Sequence, residues 1–336
     1  MTSHPRPPVR TALRAAGRRA SAGALAVAAV LLTAPPAQAA ATLEPVTGFD
    51  NPGALSMYAY RPADLPAEAP VVVALHGCTQ NAQDYADHSG LTEFADQHGF
   101  LLVFAEQSTA NNANRCFNWF QPGDITRDQG EAASLRNMVG KAVDELGGDG
   151  ERVYVTGLSA GGAMTSVMLA AYPDVFEAGA VVAGLPYQCA TTVAQAFTCM
   201  NPGVDKSPEE WAELARSGHP SWDGPWPRVA IWHGTADTTV VPRNADELRD
   251  QWTAVHGVPH TPTRTSTLPP NDTEREEYTT ADGTVVVEVD RVPDMEHGTP
   301  VHPGDGPEDC GQVGQYYPDT ICSSYHVTRF FGLDAG

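Results

Sequence analysis

The chain alternates between short continuous apolar runs and longer stretches where apolar residues recur every three or four positions. Val71-Val72-Val73-Ala74-Leu75, closed by Pro70 before it and His76-Gly77 after it, predicts a strand buried on both faces. Residues 100–104, 152–156, 178–183, 229–232 and 285–289 predict further strands. Between them, residues 84–98 carry helical spacing through Tyr85, Leu91, Phe94 and Ala95. Residues 128–146 place Leu135, Met138, Val139, Ala142, Val143 and Leu146 on one helical stripe. Residues 160–172, 243–255 and 325–331 are also expected to be helical. Strands separated by helices pair in parallel through crossovers, which predicts an α/β sheet covered on both faces. In such sheets ligands sit beyond the carboxyl ends of the strands, so the functional residues are expected just after strands.

Two stretches break the alternation. Residues 106–128 are polar, aromatic and without period, and residues 186–227 contain only a short helix at 208–216. Irregular insertions of that length in a packed domain are expected to be binding loops or lids.

The first 41 residues read as an export signal. Arg6, Arg10, Arg14, Arg18 and Arg19 form a basic segment, residues 20–33 are apolar or small and uncharged, and Ala37-Gln38-Ala39 fits a cleavage site. The apolar run is too short for a membrane-spanning helix, and no comparable run follows. Cleavage is expected after position 39 or 41; cutting after Ala39 leaves 297 of the 336 residues, read as one catalytic domain over 40–336. Five of the 20 basic residues and none of the 41 acidic ones lie in the signal, which leaves a net charge of −26 beyond it. Such a chain repels phosphate backbones and anionic membranes, so nucleic acid and membrane partners are excluded and an extracellular location is expected. The acid excess serves solubility.

Six cysteines, Cys78, Cys116, Cys189, Cys199, Cys310 and Cys322, all follow the signal. An even count in an exported chain suggests three disulfides. Nearest-neighbour pairing is the simplest of the 15 arrangements six cysteines allow. No zinc spacing occurs, so neither a metal nor an organic cofactor is implied, and nothing in the sequence bears on oligomeric state.

Gly157-Leu158-Ser159-Ala160-Gly161 lies between a predicted strand and a predicted helix. Serine at that junction is lifted above the sheet on a strained turn, next to a helix N-terminus that favours developing negative charge. A serine hydroxyl needs a base and an acid to orient that base, in the chain order Ser, Asp or Glu, His. Asp237 follows the strand at 229–232 and is the expected acid, with Asp290 and Asp294 as alternatives. His297 follows the last strand by a short loop and is the expected base, with His302 as its rival. Two backbone N–H groups are needed for the oxyanion: Ala160, next after the serine, and Cys78, in the loop His76-Gly77-Cys78-Thr79. A Cys78–Cys116 bond would clamp that loop to the insertion carrying Trp119.

With these residues in place the chain resembles a known family. Leu75-His76-Gly77-Cys78-Thr79-Gln80, Asn114-Arg115-Cys116-Phe117-Asn118-Trp119-Phe120 and Gly157-Leu158-Ser159-Ala160-Gly161-Gly162 are similar to motifs of the extracellular polyhydroxybutyrate depolymerases, a family that includes feruloyl and acetylxylan esterases. The resemblance covers roughly residues 50–332. It implies an α/β-hydrolase fold and a serine-esterase mechanism, with Ser159 as nucleophile, Asp237 as acid, His297 as base and Cys78 as an oxyanion donor. Many members carry a tryptophan soon after the catalytic histidine; here the segment is His297-Gly298-Thr299-Pro300, so no aromatic wall beside the base is implied. Polymer-degrading members often add a substrate-binding domain after a linker, and none is expected here. Trp119, Tyr187 and Trp222, with Trp226, are the aromatic residues expected to contact an ester substrate. The substrate expected first is a short-chain hydroxyalkanoate ester or oligomer, with feruloyl or acetylxylan esters next. A non-catalytic binding protein on this scaffold and a serine peptidase or acyltransferase are the competing classes.

Overall fold

The computed structural model describes residues 1–5, 7–8 and 40–334, and residues Ala40–Gly336 form one compact unit. The expected export signal lies almost wholly outside the described residues. The unit runs β1 (Glu44–Val46), β2 (Ser56–Tyr60), β3 (Ala69–Leu75), α1 (Ala82–His88), α2 (Leu91–His98), β4 (Leu101–Glu106), α3 (Pro122–Ile125), α4 (Gly130–Leu146) and β5 (Gly148–Leu158). It continues α5 (Ala160–Ala171), β6 (Ala178–Val182), α6 (Val193–Met200), α7 (Pro208–Arg216), β7 (Arg228–Gly234), α8 (Arg243–His256), β8 (Arg264–Leu268), β9 (Thr273–Thr279), β10 (Val285–Val292) and α9 (Ser323–Phe331).

The strands form one sheet in the order β1-β2-β4-β3-β5-β6-β7-β10-β9-β8. From β4 to β10 every pairing is parallel. Strand β3 is buried at every position, and its two faces serve different layers. Val71, Val73 and Leu75 pack with Leu135 and Met138 of α4, Met164 and Val167 of α5 and Trp252 of α8. Val72 and Ala74 pack with Tyr85 of α1, Phe94 of α2 and Phe330 of α9. Strict alternation along a strand sends successive side chains to opposite faces, so an unbroken apolar run is what a doubly covered strand requires. This is the α/β-hydrolase fold.

Several features depart from the sequence reading, among them α6, which lies in the 186–227 stretch expected to contain only the 208–216 helix. The helix expected over 84–98 is divided at Ser89-Gly90, where Gly90 takes φ 80°. A Cβ on Gly90 would stand 2.5 Å from Cys310 Sγ, so the break makes room for a disulfide that arrives from far along the chain. Four antiparallel strands, β1, β2, β8 and β9, extend the parallel core at its two edges. Strand β8 is exposed along nearly its whole length and β9 is rich in charge, so neither carries the apolar run that marks a buried strand. Among the described residues no helix is long and apolar enough to cross a membrane.

Register brings the carboxyl ends of the central strands level. Leu75 of β3 pairs with both Ala105 of β4 and Gly157 of β5, and β10 runs beside β7 to Val292 opposite Gly234. The loops after β3, β5, β7 and β10 therefore open on one edge of the sheet.

Candidate active site

Ser159 caps α5 with φ 58° and ψ −116°, a backbone that non-glycine residues rarely adopt. Its amide donates to Val182 O at 2.9 Å, which ties the turn to the neighbouring strand. The flanking glycines are required by space. A Cβ on Gly157 would lie 2.6 Å from the Gly161 backbone, and one on Gly161 would lie 2.2 Å from Leu75 O. The strand and helix thus approach as closely as backbone permits, and the serine is left at the apex, 8% exposed.

Asp237 sits three residues beyond β7 and is 2% exposed. Its Oδ1 accepts the Thr239 and Val240 amides at 2.8 and 2.9 Å, and its Oδ2 accepts from His297 Nδ1 at 2.6 Å. A carboxylate only accepts, so Nδ1 carries a proton, and in the neutral imidazole the lone pair is on Nε2. The two loops are bonded to each other: Thr235 N donates to Val292 O and Ala236 N to Met295 O, both at 3.0 Å. His233 lies beneath the pair, its Nε2–H on Val240 O at 2.8 Å, and burial lowers its pKa and keeps it neutral.

Ser159 and His297 line one cavity of about 150 Å³, together with Gly77, Cys78, Thr79, Gln80, Leu158, Met200, Thr239 and Tyr316. Among the described residues Ser159 Oγ makes no hydrogen bond; it shares the cavity with His297. The alternatives for acid and base lie elsewhere, two of them in ion pairs of their own. Asp290 is fully buried against Arg275 at 2.7 Å, Asp294 is exposed, and His302 pairs with Asp319 at 2.8 Å.

The loop after β3 is held from several directions. His76 Nδ1–H donates to Gly77 O at 2.7 Å while its Nε2 accepts the Gln107 amide at 3.1 Å. Both ring nitrogens are committed to the neutral form, and burial pushes the His76 pKa down to about 4. Gly77 N donates to Gln80 Oε1 at 2.7 Å, and Thr79, with φ 67°, donates to Asn114 O at 2.7 Å. Neither the Cys78 nor the Ala160 N–H donates to a partner among the described residues.

The cysteines pair 78–116, 189–199 and 310–322, the nearest-neighbour arrangement. Cys78–Cys116 joins the β3 loop to the insertion at 106–128. That insertion is organised by Glu131 of α4, which is fully buried. Its carboxylate accepts from Asn118 N, Asn118 Nδ2, Gln107 Nε2 and Asn111 Nδ2, between 2.5 and 3.1 Å. Burial pushes this carboxyl up to about 8, against four N–H donors that favour its charged form. A lone glutamate in an amphipathic helix gives no sequence signal for that role.

The expected aromatic contacts lie away from the cavity. Trp119 is 5% exposed and packs edge-on against Phe120 inside the core. Tyr187 is buried, with its hydroxyl on Ile125 O at 3.4 Å. Trp222 is half-buried and donates to Pro225 O at 3.1 Å; Trp226 packs on Trp252. None of the four lines the cavity that holds Ser159. The residues that do, Tyr316 and Met200, were not singled out from the sequence. Tyr316 stands edge-on to His297 with ring centroids 6.2 Å apart, inside the segment closed by Cys310–Cys322. It provides the aromatic wall that His297-Gly298-Thr299-Pro300 lacks.

Comparison with known proteins places this geometry in a family. Residues 55–268 match the family model described as "Esterase PHB depolymerase". The chain belongs to this family. It is 47% identical over 311 residues to the poly(3-hydroxyalkanoate) depolymerase C of Paucimonas lemoignei, covering 92% of this chain and 74% of that protein. It is 40% identical over 227 residues to the feruloyl esterase B of Thermothelomyces thermophilus, covering 65% and 77%. It is 37% identical over 226 residues to an acetylxylan esterase of Coprinopsis cinerea, covering 66% and 60%. Among solved structures, the acetyl xylan esterase from Aspergillus awamori superposes with a TM-score of 0.74 at 27% identity, over 87% of this chain and 99% of that one. The protein is a carboxylic ester hydrolase.

Proposed function

We infer that the chain is an exported serine esterase acting through Ser159, His297 and Asp237, with short-chain hydroxyalkanoate esters or oligomers as its substrates. The observation that carries this reading is the Asp237–His297 hydrogen bond at the rim of a cavity that also holds a strained Ser159. His297 Nε2 takes the proton of Ser159 as Oγ attacks the ester carbonyl. The Cys78 and Ala160 amides, both without partners among the described residues, stabilise the oxyanion. Asp237 holds the imidazole tautomer and the imidazolium. The proton then passes from His297 to the departing alcohol, and water, activated by the same histidine, cleaves the acyl-enzyme to the carboxylic acid and free serine. No step calls for a metal or organic cofactor.

The hydroxyalkanoate assignment is supported by the depolymerase relative, whose match spans 92% of this chain. The feruloyl and acetylxylan esterase relatives and the Aspergillus awamori structure favour plant-cell-wall esters as the second reading. Replacing Ser159 with Ala is expected to abolish hydrolysis of p-nitrophenyl butyrate without loss of fold. Substantial remaining activity would refute the nucleophile assignment. A panel of hydroxybutyrate oligomers, methyl ferulate and acetylated xylan separates the two substrate readings.

A further inference from the structure

Helix α6 presents an apolar stripe that ends in the catalytic cavity. Val193, Phe197 and Met200 are spaced i, i+4 and i+7, which places them on one face of a helix. Val193 is 56% and Phe197 67% exposed, while Met200 lines the cavity of Ser159. The adjoining face of the same helix, Ala196 and Cys199, is buried in the core. Apart from the N-terminal Met1, only Val193, Phe197 and Val313 are large hydrophobic residues left exposed among the described residues. Two of those three therefore lie on the element that leads into the site.

The helix is fixed in that position. Cys189–Cys199 closes the segment around it. Asn244 Nδ2 donates to Cys199 O at 3.1 Å, Val241 N donates to Met200 O at 2.9 Å, and Asn201 Nδ2 donates to Thr238 O at 3.0 Å. The last two bonds tie the end of the helix to the loop that carries Asp237 and Thr239, and Thr239 lines the same cavity. A stripe of exposed apolar side chains held this firmly is available for contact without further ordering.

We propose that the α6 stripe is a binding track for the aliphatic polyester chain beyond the ester being cleaved. The proposal rests on the esterase reading above and adds where a longer substrate lies. Its chemistry follows from the lining. The side chains of Val193, Phe197 and Met200 offer no hydrogen-bond donor, and at the cavity end Met200 shares the lining with Leu158 and the Tyr316 ring. An acetylated sugar chain would leave hydroxyl groups unpaired against it, whereas a methyl-branched aliphatic polyester buries apolar surface there.

The test is the ratio of kcat/KM for a 3-hydroxybutyrate trimer ester to kcat/KM for methyl 3-hydroxybutyrate. In Phe197→Ser this ratio is expected to fall about five- to tenfold, as the loss of one or two buried methylene contacts predicts. Val193→Ser is expected to lower it in the same direction, and carries the test if Phe197→Ser melts early. Val313→Ser removes an equally exposed apolar residue from a different loop and should leave the ratio alone. An unchanged ratio in both α6 variants overturns the track while leaving the esterase intact, and so does an equal fall in Val313→Ser. A wild-type protein that hydrolyses p-nitrophenyl butyrate but neither hydroxybutyrate ester overturns the track together with the hydroxyalkanoate assignment, and one that hydrolyses none of the three overturns the serine-esterase reading as well, which distinguishes the failures.

Discussion

Replacing Asp237 with Asn tests the acid assignment through the orientation of one amide. Asp237 Oδ1 accepts two backbone amides, from Thr239 and Val240, and Oδ2 accepts from His297. An asparagine in the same pocket must put its oxygen toward the two backbone donors. The reverse orientation would set an NH₂ against two backbone N–H groups, the Val240 one buried and the Thr239 one partly so, at about 1–3 kcal/mol for each buried group left unpaired. The NH₂ therefore faces His297 Nδ1. Because that group only donates, the imidazole must present a lone pair at Nδ1 and carry its proton on Nε2, toward Ser159. The base is then in the wrong tautomer. The expected loss in kcat for p-nitrophenyl butyrate is about 10⁴-fold, equivalent to about 5 kcal/mol of barrier. The melting temperature should stay close to wild type, because both backbone bonds survive. Asp237→Ala should instead lose about 2–4 kcal/mol of stability, since the Thr239 and Val240 amides are stranded. A folded Asp237→Asn variant with kcat within tenfold of wild type would refute the assignment of Asp237 as the residue that sets the tautomer.

Two further outcomes follow from the loop after β3. Replacing both Cys78 and Cys116 with Ser opens a loop of 38 residues and is expected to cost up to about 4 kcal/mol of stability, measured by denaturant unfolding. The same variant should lose about tenfold in kcat, because the Cys78 amide is no longer clamped, although a donor remains; full kcat with the bond absent would refute the disulfide's part in positioning that donor. His76 has a pKa lowered by burial to about 4 from an ordinary 6.5, so the folded state binds fewer protons than the unfolded one between those values. Its contribution is present above pH 6.5 and lost as pH falls toward 4. The unfolding free energy of wild type relative to His76→Gln should therefore narrow by about 3 kcal/mol over that window, and no narrowing would mean that the imidazole is not held neutral.

The site was legible wherever chemistry constrains local sequence. A serine between glycines at a strand–helix junction, an aspartate just beyond β7 and a histidine a short loop beyond β10 each follow from one strand end. Register does the rest, because parallel strands with level carboxyl ends deliver those loops to one edge. The buried strands were legible for a similar reason: a strand covered on both faces has nowhere to place a polar residue. Strands β1, β2, β8 and β9 were not, since a strand half in water shows no such run.

Side chains whose role depends on distant packing had to wait for the tertiary structure. Trp119 neighbours Cys116 in sequence, yet its ring turns into the core, where burial of a large aromatic surface is most favourable. Tyr316 lies 19 residues past His297 and meets its ring because Cys310–Cys322 folds that segment back. Glu131 reads as an ordinary helix residue and is instead the acceptor around which the 106–128 insertion is ordered. Sequence alone determined the candidate reacting groups, because strand periodicity and the strand–helix turn are local properties. The walls around them, and the four donors that converge on one buried carboxylate, were decided by contacts between segments far apart in the chain.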